Sequence, residues 1–335
     1  MDTKKFYAVI KEARGVKKNF PERQINRKTH EEYMRLGKRV LNDKDLLREA
    51  RTANSYYKRL TAYNYCIEYS IKSLLDRQNR EQKEKDQMWV STVKRLEKAL
   101  QEFKTAQKLK KEKPVTFDPK GSKRKHMRGL PQQWVAQYWQ NVPKNGKYAP
   151  IIALLIISGV RPCEVEKGVE LNFNKNKNVL VTTIFGAKCR KDGSTGQRER
   201  VIAFDCDGLQ EENPEIFLKQ YFQRHTDNEN SGVRIKAKPN ALYNYVSRLS
   251  RKIWPRHKNH ITPYSFRHML AAKLKKSSFF DDAEVAKILG HASCRSQLEY
   301  GSIQQGGSSG SSILAVRAEK EPRPVKGTKT KPMRS

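Results

Sequence analysis

The helical pattern of this chain breaks between Lys104 and Arg128. Pro114, Pro119 and Gly121 interrupt any helix there, and ten basic residues face only Glu112 and Asp118. A basic, structure-poor segment between two periodic regions reads as a linker that can lie along a phosphate backbone. Cut at that point, a chain of 335 residues gives two domains of ordinary size, each long enough for its own core.

The first half is helical in pattern. Residues 1–19 are rich in lysine and arginine and read as a basic N-terminal arm, either flexible or a short helix. Thr29 is a candidate cap for a helix carrying Tyr33, Leu36, Val40 and Leu41 at three-to-four spacing. Further helices are predicted over 46–54, 55–77 and 84–109. Leu60, Tyr63, Ile67, Ile71 and Leu75 line one of them, and Trp89, Val93, Leu96, Leu100 and Phe103 another. Residues 20–110 are therefore expected to form a four-helix bundle with basic outer faces, followed by a linker over 111–128.

The second half mixes helices with a small antiparallel sheet. Residues 148–157 form a strongly apolar, buried helix ending at Ser158-Gly159-Val160. The β-branched run 179–185 is the clearest strand, and 200–204 its return, joined by a long basic loop. Helices are expected over 213–225, 237–253, 265–275 and 282–289, with Tyr300 on or just after a short helix from Cys294. From Gly301 the chain turns Gly/Ser-rich and then basic, so 304–335 reads as a flexible tail with one apolar patch, Ile313 to Val316.

Charge narrows the function. Lys plus Arg number 69 against 35 Asp plus Glu, a formal net charge of +34, which is the electrostatic footprint of a nucleic-acid binder. The five cysteines are scattered without a CxxC pair, which argues against a disulfide framework and a zinc site. No apolar run approaches about 18 residues, so a cytoplasmic protein bound to DNA, with no membrane association, is expected.

The chemistry concentrates in a few boxes. Gly159-Val160-Arg161-Pro162-Cys163-Glu164 sets an arginine just past the buried helix, where Glu164 can hold a helix N-terminus or orient the guanidinium. Tyr264-Ser265-Phe266-Arg267-His268 and Leu289-Gly290-His291 follow, and Tyr300 comes nine residues after His291. Arginine clamps phosphate through paired charge-assisted hydrogen bonds, histidine donates a further one, and tyrosine can serve as a covalent nucleophile. The hairpin loop adds Lys188, Arg190, Lys191, Arg198 and Arg200, any of which can reach a phosphate.

In order and spacing these boxes resemble the tyrosine recombinase (phage integrase) family over roughly residues 129–303. The resemblance implies a helical core-binding domain followed by a tyrosine recombinase catalytic domain, closing around duplex DNA. It also implies a 3′-phosphotyrosyl intermediate formed by Tyr300, with no metal, ATP or other cofactor. Arg161 and Arg267 would form the main clamp, with Tyr264 and His291 as additional donors. Lys188 would protonate the leaving 5′-oxygen, with Lys191 in reserve, and Glu164 and His268 would support the site. Arg124, Lys125, Arg128, Arg190 and Lys191 are candidate DNA contacts. Tyrosine at 264, where most of the family has histidine, keeps a donor but makes a poor base. Implied partners are double-stranded DNA with specific sites, a homotetramer passing through a Holliday junction, and accessory DNA-bending or directionality factors. The expected setting is a prokaryotic mobile element that the enzyme integrates or excises. Two rival readings are a type IB topoisomerase and a non-catalytic DNA-binding protein derived from a recombinase.

Overall fold

The computed structural model describes residues 3–23, 25–80, 87–112, 117, 127, 129–187, 189, 195–226, 232–258, 260–301 and 311–325. The protein is mainly helical with one small antiparallel sheet, and the chain divides into two compact units, Met1–Lys120 and Gly121–Ser335. Among the described residues, no helix is long and apolar enough to cross a membrane.

The first unit holds α1 (Thr3–Lys18), α2 (Arg27–Asn42), a short α3 (Asp45–Arg48), α4 (Ala53–Arg80) and α5 (Gln87–Lys111). Of the two alternatives for the basic N-terminus, arm or helix, the structure shows the helix. The segment folds as α1 because Phe6, Val9, Ile10 and Ala13 fall at i, i+3, i+4 and i+7, one face of a helix. Val9, Ile10 and Ala13 are buried in the core of this unit, and Phe6 meets Trp89 edge-on at 5.8 Å between ring centres. The cap of α2 is Asn26 rather than Thr29, its side chain accepting from the Thr29 N–H at 2.8 Å. The helix expected over 46–54 shrinks to the single turn of α3. Trp89, Tyr56 and Tyr63 are core residues, whereas Tyr57 and Tyr69 stay exposed.

The second unit opens with α6 (Trp134–Gln140), α7 (Ala149–Ser158) and α8 (Pro162–Lys167). Helix α7 is apolar on every side and buried along almost its whole length, so it forms the spine of the core. Strands β1 (Val169–Asn174), β2 (Val179–Phe185) and β3 (Glu199–Asp205) follow, then α9 (Pro214–His225), β4 (Val233–Ile235) and α10 (Pro239–Ile253). Helices α11 (Pro263–Lys276) and α12 (Asp282–Ile288), a 3-10 turn (Cys294–Glu299) and β5 (Ile313–Ala318) complete the unit. The sheet runs β4-β1-β2-β3-β5 with every pairing antiparallel.

The caps of α11 and α12 are written into the sequence. Pro263 occupies the first turn of α11, where no amide is needed, and the Thr262 N–H donates to Ser265 Oγ at 3.1 Å. At α12, Asp281 and Glu284 exchange side-chain and backbone hydrogen bonds at 2.7 and 2.9 Å. Phe266 packs between Trp134 and Tyr138, with ring centres 5.3 and 5.1 Å away, which locks α11 against α6. That lock fixes the next residue, Arg267.

The C-terminal segment is not a free tail over its described part. Residues 313–318 pair with β3 as an edge strand, Ile313 is buried, and the Asp205 N–H donates to the Ser312 carbonyl at 2.7 Å. Beyond the strand, Arg323 exchanges backbone hydrogen bonds with Ala292 and Cys294, both at 3.0 Å. The segment thereby braces the loop that carries His291. The burial of Ile313 carries a test. Ile313→Ala is expected to lower the unfolding free energy by about 2 kcal/mol in urea melts. The exposed neighbour Leu314→Ala is expected to change it by under about 0.5 kcal/mol. Equal, negligible effects would show the strand to be unimportant in solution.

Candidate active site

Two elements of the second unit, α8 with its cap and β3, meet on one buried carboxylate. Glu164, on α8, has no solvent exposure. Its Oε2 accepts from the Arg161 backbone N–H at 2.8 Å and its Oε1 from Arg161 Nη1 at 2.6 Å. Glu164 therefore holds the helix start and also orients the guanidinium. Arg200, from β3, donates to both oxygens at 3.1 and 2.9 Å, and its Nε donates to the Ile288 carbonyl at the end of α12 at 2.9 Å. Burial would push the Glu164 carboxyl up, but Arg200 and Arg161 outweigh it and hold the group ionised well below the usual carboxylate range.

Arg200 thus corrects an expectation. Only 1% exposed and fully paired, it is no phosphate contact. A signal for this existed in the sequence. Strand alternation puts residue 200 on the same face as Ile202 and Phe204, which are buried, and a buried arginine needs hydrogen-bond acceptors inside the fold.

Arg267 is anchored by backbone oxygens. Gly159 caps α7 in the left-handed region at φ 58°, which turns its carbonyl to accept from Arg267 Nη1 at 2.8 Å. Arg267 Nη2 donates to the Leu289 carbonyl and also meets His291 Nε2 at 3.0 Å. A guanidinium has no lone pair to offer, so Nε2 accepts and the ring proton of His291 sits on Nδ1. Burial, then Arg267 and Arg161, push the His291 imidazole far below its ordinary pKa, so it is a neutral donor at physiological pH. Burial, then Arg161, push Arg267 down to about 9, so it remains cationic at neutral pH.

Tyr300 closes the cluster. It ends the 3-10 turn, and its ring lies between His268 and His291, with ring centres 5.0 and 5.3 Å away. The Arg267 guanidinium carbon sits 4.8 Å from the centre of the Tyr300 ring. Burial raises the phenol's pKa, yet the charges of Arg267 and Arg161 bring it below its ordinary value. The backbone around it is held from α11. His268 Nδ1 accepts from the Gly301 N–H at 3.3 Å. Lys275 Nζ donates to the carbonyls of Gln297 and Tyr300, both at 2.7 Å. Lys275 was not foreseen, although it lies two helical turns beyond Arg267 on the same face.

Tyr264 is half-buried at the edge of the cluster, 6.3 Å from Tyr243 between ring centres. Burial, then Cys163 and Tyr300, raise its pKa, so it stays a protonated donor. Buried Arg267 Nε and His291 Nδ1 have no hydrogen-bond partner among the described residues. Two orphaned donors beside a phenol and two guanidiniums suit an anion with several acceptor oxygens. Of the remaining residues named from sequence, Lys188, Arg190, Lys191, Arg124, Lys125 and Arg128 lie outside the described residues. The site thus brings together Arg161, Glu164, Tyr264, Arg267, His268, His291 and Tyr300.

No protein-family model matches this chain, and no curated protein matches it either.

The depressed pKa of Glu164 has a signed consequence. It contributes stability that is present above the unfolded carboxylate value of about 4.3 and is lost as pH falls through the folded value. Glu164→Gln is expected to cost about 3–5 kcal/mol near pH 7, since it strands two buried guanidiniums. The gap between wild type and variant should narrow between about pH 5 and pH 3 in thermal melts. A gap that stays constant over that range would show that the carboxylate is not charged in the fold.

Proposed function

We propose that this chain is a site-specific tyrosine recombinase that cleaves and rejoins DNA through a phosphotyrosyl intermediate at Tyr300. The observation that carries the reading is the Tyr300 phenol set beside the Arg267 guanidinium, 4.8 Å from its ring centre, where the charges of Arg267 and Arg161 lower its pKa against the pull of burial. A phenol tuned in this way is a better nucleophile at neutral pH, and the same guanidiniums are donors for the phosphate it attacks.

In the proposed step the Tyr300 oxygen attacks phosphorus while the bond to the 5′-oxygen breaks. The phenolic proton leaves to solvent, and the 5′-oxygen gains a proton from a lysine between β2 and β3, Lys188 or, in reserve, Lys191. A 3′-phosphotyrosine and a 5′-hydroxyl result, and the reverse step with a new 5′-hydroxyl completes strand exchange. Charge developing on the non-bridging oxygens is met by Arg161 and Arg267, with neutral His291 and Tyr264 as further donors. Tyr264 fits the role of donor rather than base, since its surroundings keep it protonated. The excess of positive charge over the whole chain supplies the affinity for duplex DNA.

That the cluster assembles within one chain also suits a monomeric type IB topoisomerase. A two-site exchange assay separates the two. A plasmid carrying two copies of the DNA flanking the gene should yield Holliday junctions and recombinant circles, whereas relaxed circles alone would favour the topoisomerase. Arg267→Ala is expected to reduce exchange by about 1000-fold. Tyr300→Phe should abolish exchange and leave the DNA dissociation constant within about twofold, because the hydroxyl adds nothing to counterion release. Loss of binding in Tyr300→Phe would favour the non-catalytic reading.

A further inference from the structure

Among the described residues, Arg200 is the largest fully buried charged side chain that the proposed reaction does not use. It is buried on the sheet side of Glu164, so it can touch neither DNA nor solvent. Its hydrogen bonds nevertheless join three of the segments that build the site. It meets Glu164 on α8 and Ile288 at the end of α12, and it packs on Gly290 just before His291. Gly290 has φ 63°, and a side chain there would place its Cβ 2.6 Å from Arg200 Nη1. The Leu289-Gly290-His291 box therefore needs its glycine partly to admit this guanidinium.

The electrostatics of the trio matter more than its mechanics. With Arg161 alone, Glu164 would form a neutral buried ion pair, and Arg161 would have little net attraction left for a phosphate. Arg200 occupies one lone-pair site on each oxygen of the same carboxylate. Two guanidiniums then share one negative charge, and one positive charge remains in excess beside Tyr300.

We propose that Arg200 is a positioning residue that divides Glu164's charge, so that Arg161 keeps a net positive potential toward the Tyr300 hydroxyl and the scissile phosphate. The proposal rests on the recombinase reading for its phosphate half but not for its phenol half. The charged and titratable groups around Tyr300 are Arg161 and Glu164 from α8 and its cap, Tyr264, Arg267 and His268 from α11, and His291 from the following loop. Lys275 faces the Tyr300 carbonyl rather than its hydroxyl. Replacing Arg200 removes its bonds to Glu164 and to the Ile288 carbonyl, and the charge balance changes only within the Arg161–Glu164–Arg200 trio.

The test reads Tyr300 ionisation directly, by ultraviolet difference titration of each variant against its Tyr300→Phe counterpart. Arg200→Met should raise the ionisation midpoint by on the order of one pH unit. It should slow covalent adduct formation by about 100-fold near pH 7. Affinity for DNA should hold within about twofold, since Arg200 contacts no phosphate. Adding Glu164→Gln to Arg200→Met restores the net charge of the trio, so the double variant should return the midpoint toward wild type. A purely mechanical strut would give no such rescue, and an unmoved midpoint in Arg200→Met, or a double variant no better than the single one, overturns the proposal. If Arg200→Met does not fold, Glu164→Gln alone decides, because its extra positive charge must lower the midpoint and no shift overturns the idea. Absence of any adduct in the wild type would count against the recombinase reading and leave the titration intact.

Discussion

Glu164 has no contact with solvent, and a carboxylate so placed has to be paired or it unfolds what surrounds it. Desolvation costs several kcal/mol for each buried ion, and only good geometry with every lone pair used offsets it. Here the backbone N–H and guanidinium of Arg161 and both arms of Arg200 take those positions. Because the partners come from the α7–α8 turn and from β3, the carboxylate fixes where helix and sheet meet. Arg200 extends the constraint to the end of α12, and so to the loop that carries His291.

Arg267 is held on a different principle. Its partners are the carbonyls of Gly159 and Leu289 and the ring of His291, all neutral, so it keeps its full charge in a buried place. That arrangement is costly for stability and useful for chemistry. The Tyr300 phenol gathers much of the return, for two nearby cations more than offset a burial that by itself would raise its pKa. The supports behind it are backbone contacts from His268 and Lys275, which set the end of the 3-10 turn.

Much of this was legible in the sequence, and for identifiable reasons. Helix α7 is apolar on all sides, the β2–β3 hairpin is rich in β-branched residues, and α11 and α12 announce themselves by Thr262-Pro263 and by Asp281 with Glu284. The arginine, histidine and tyrosine boxes were readable because motif spacing survives without knowledge of packing. Elements set by tertiary pairing were not. Strand β5 sits in a Gly/Ser-rich region and buries only Ile313 fully, so its existence depends on hydrogen bonds to β3 that composition does not report. In α1 the apolar positions Val9, Ile10 and Ala13 are hidden among lysines. Charge alone groups Arg200 with the basic loop, whereas its burial shows that strand alternation is the better guide. Lys275 binds only carbonyls here, a role that no side-chain motif records.

The central claim is that Tyr300 is a nucleophile activated by Arg161 and Arg267. It is tested most directly by trapping with a nicked duplex that releases the attacked strand, followed by mass spectrometry of the digested complex. Wild type should give an SDS-resistant adduct whose DNA is linked through a 3′-phosphate to the peptide containing Tyr300, and Tyr300→Phe should give none. An adduct on any other residue, Tyr264 included, or none on a duplex the protein demonstrably binds, would contradict it.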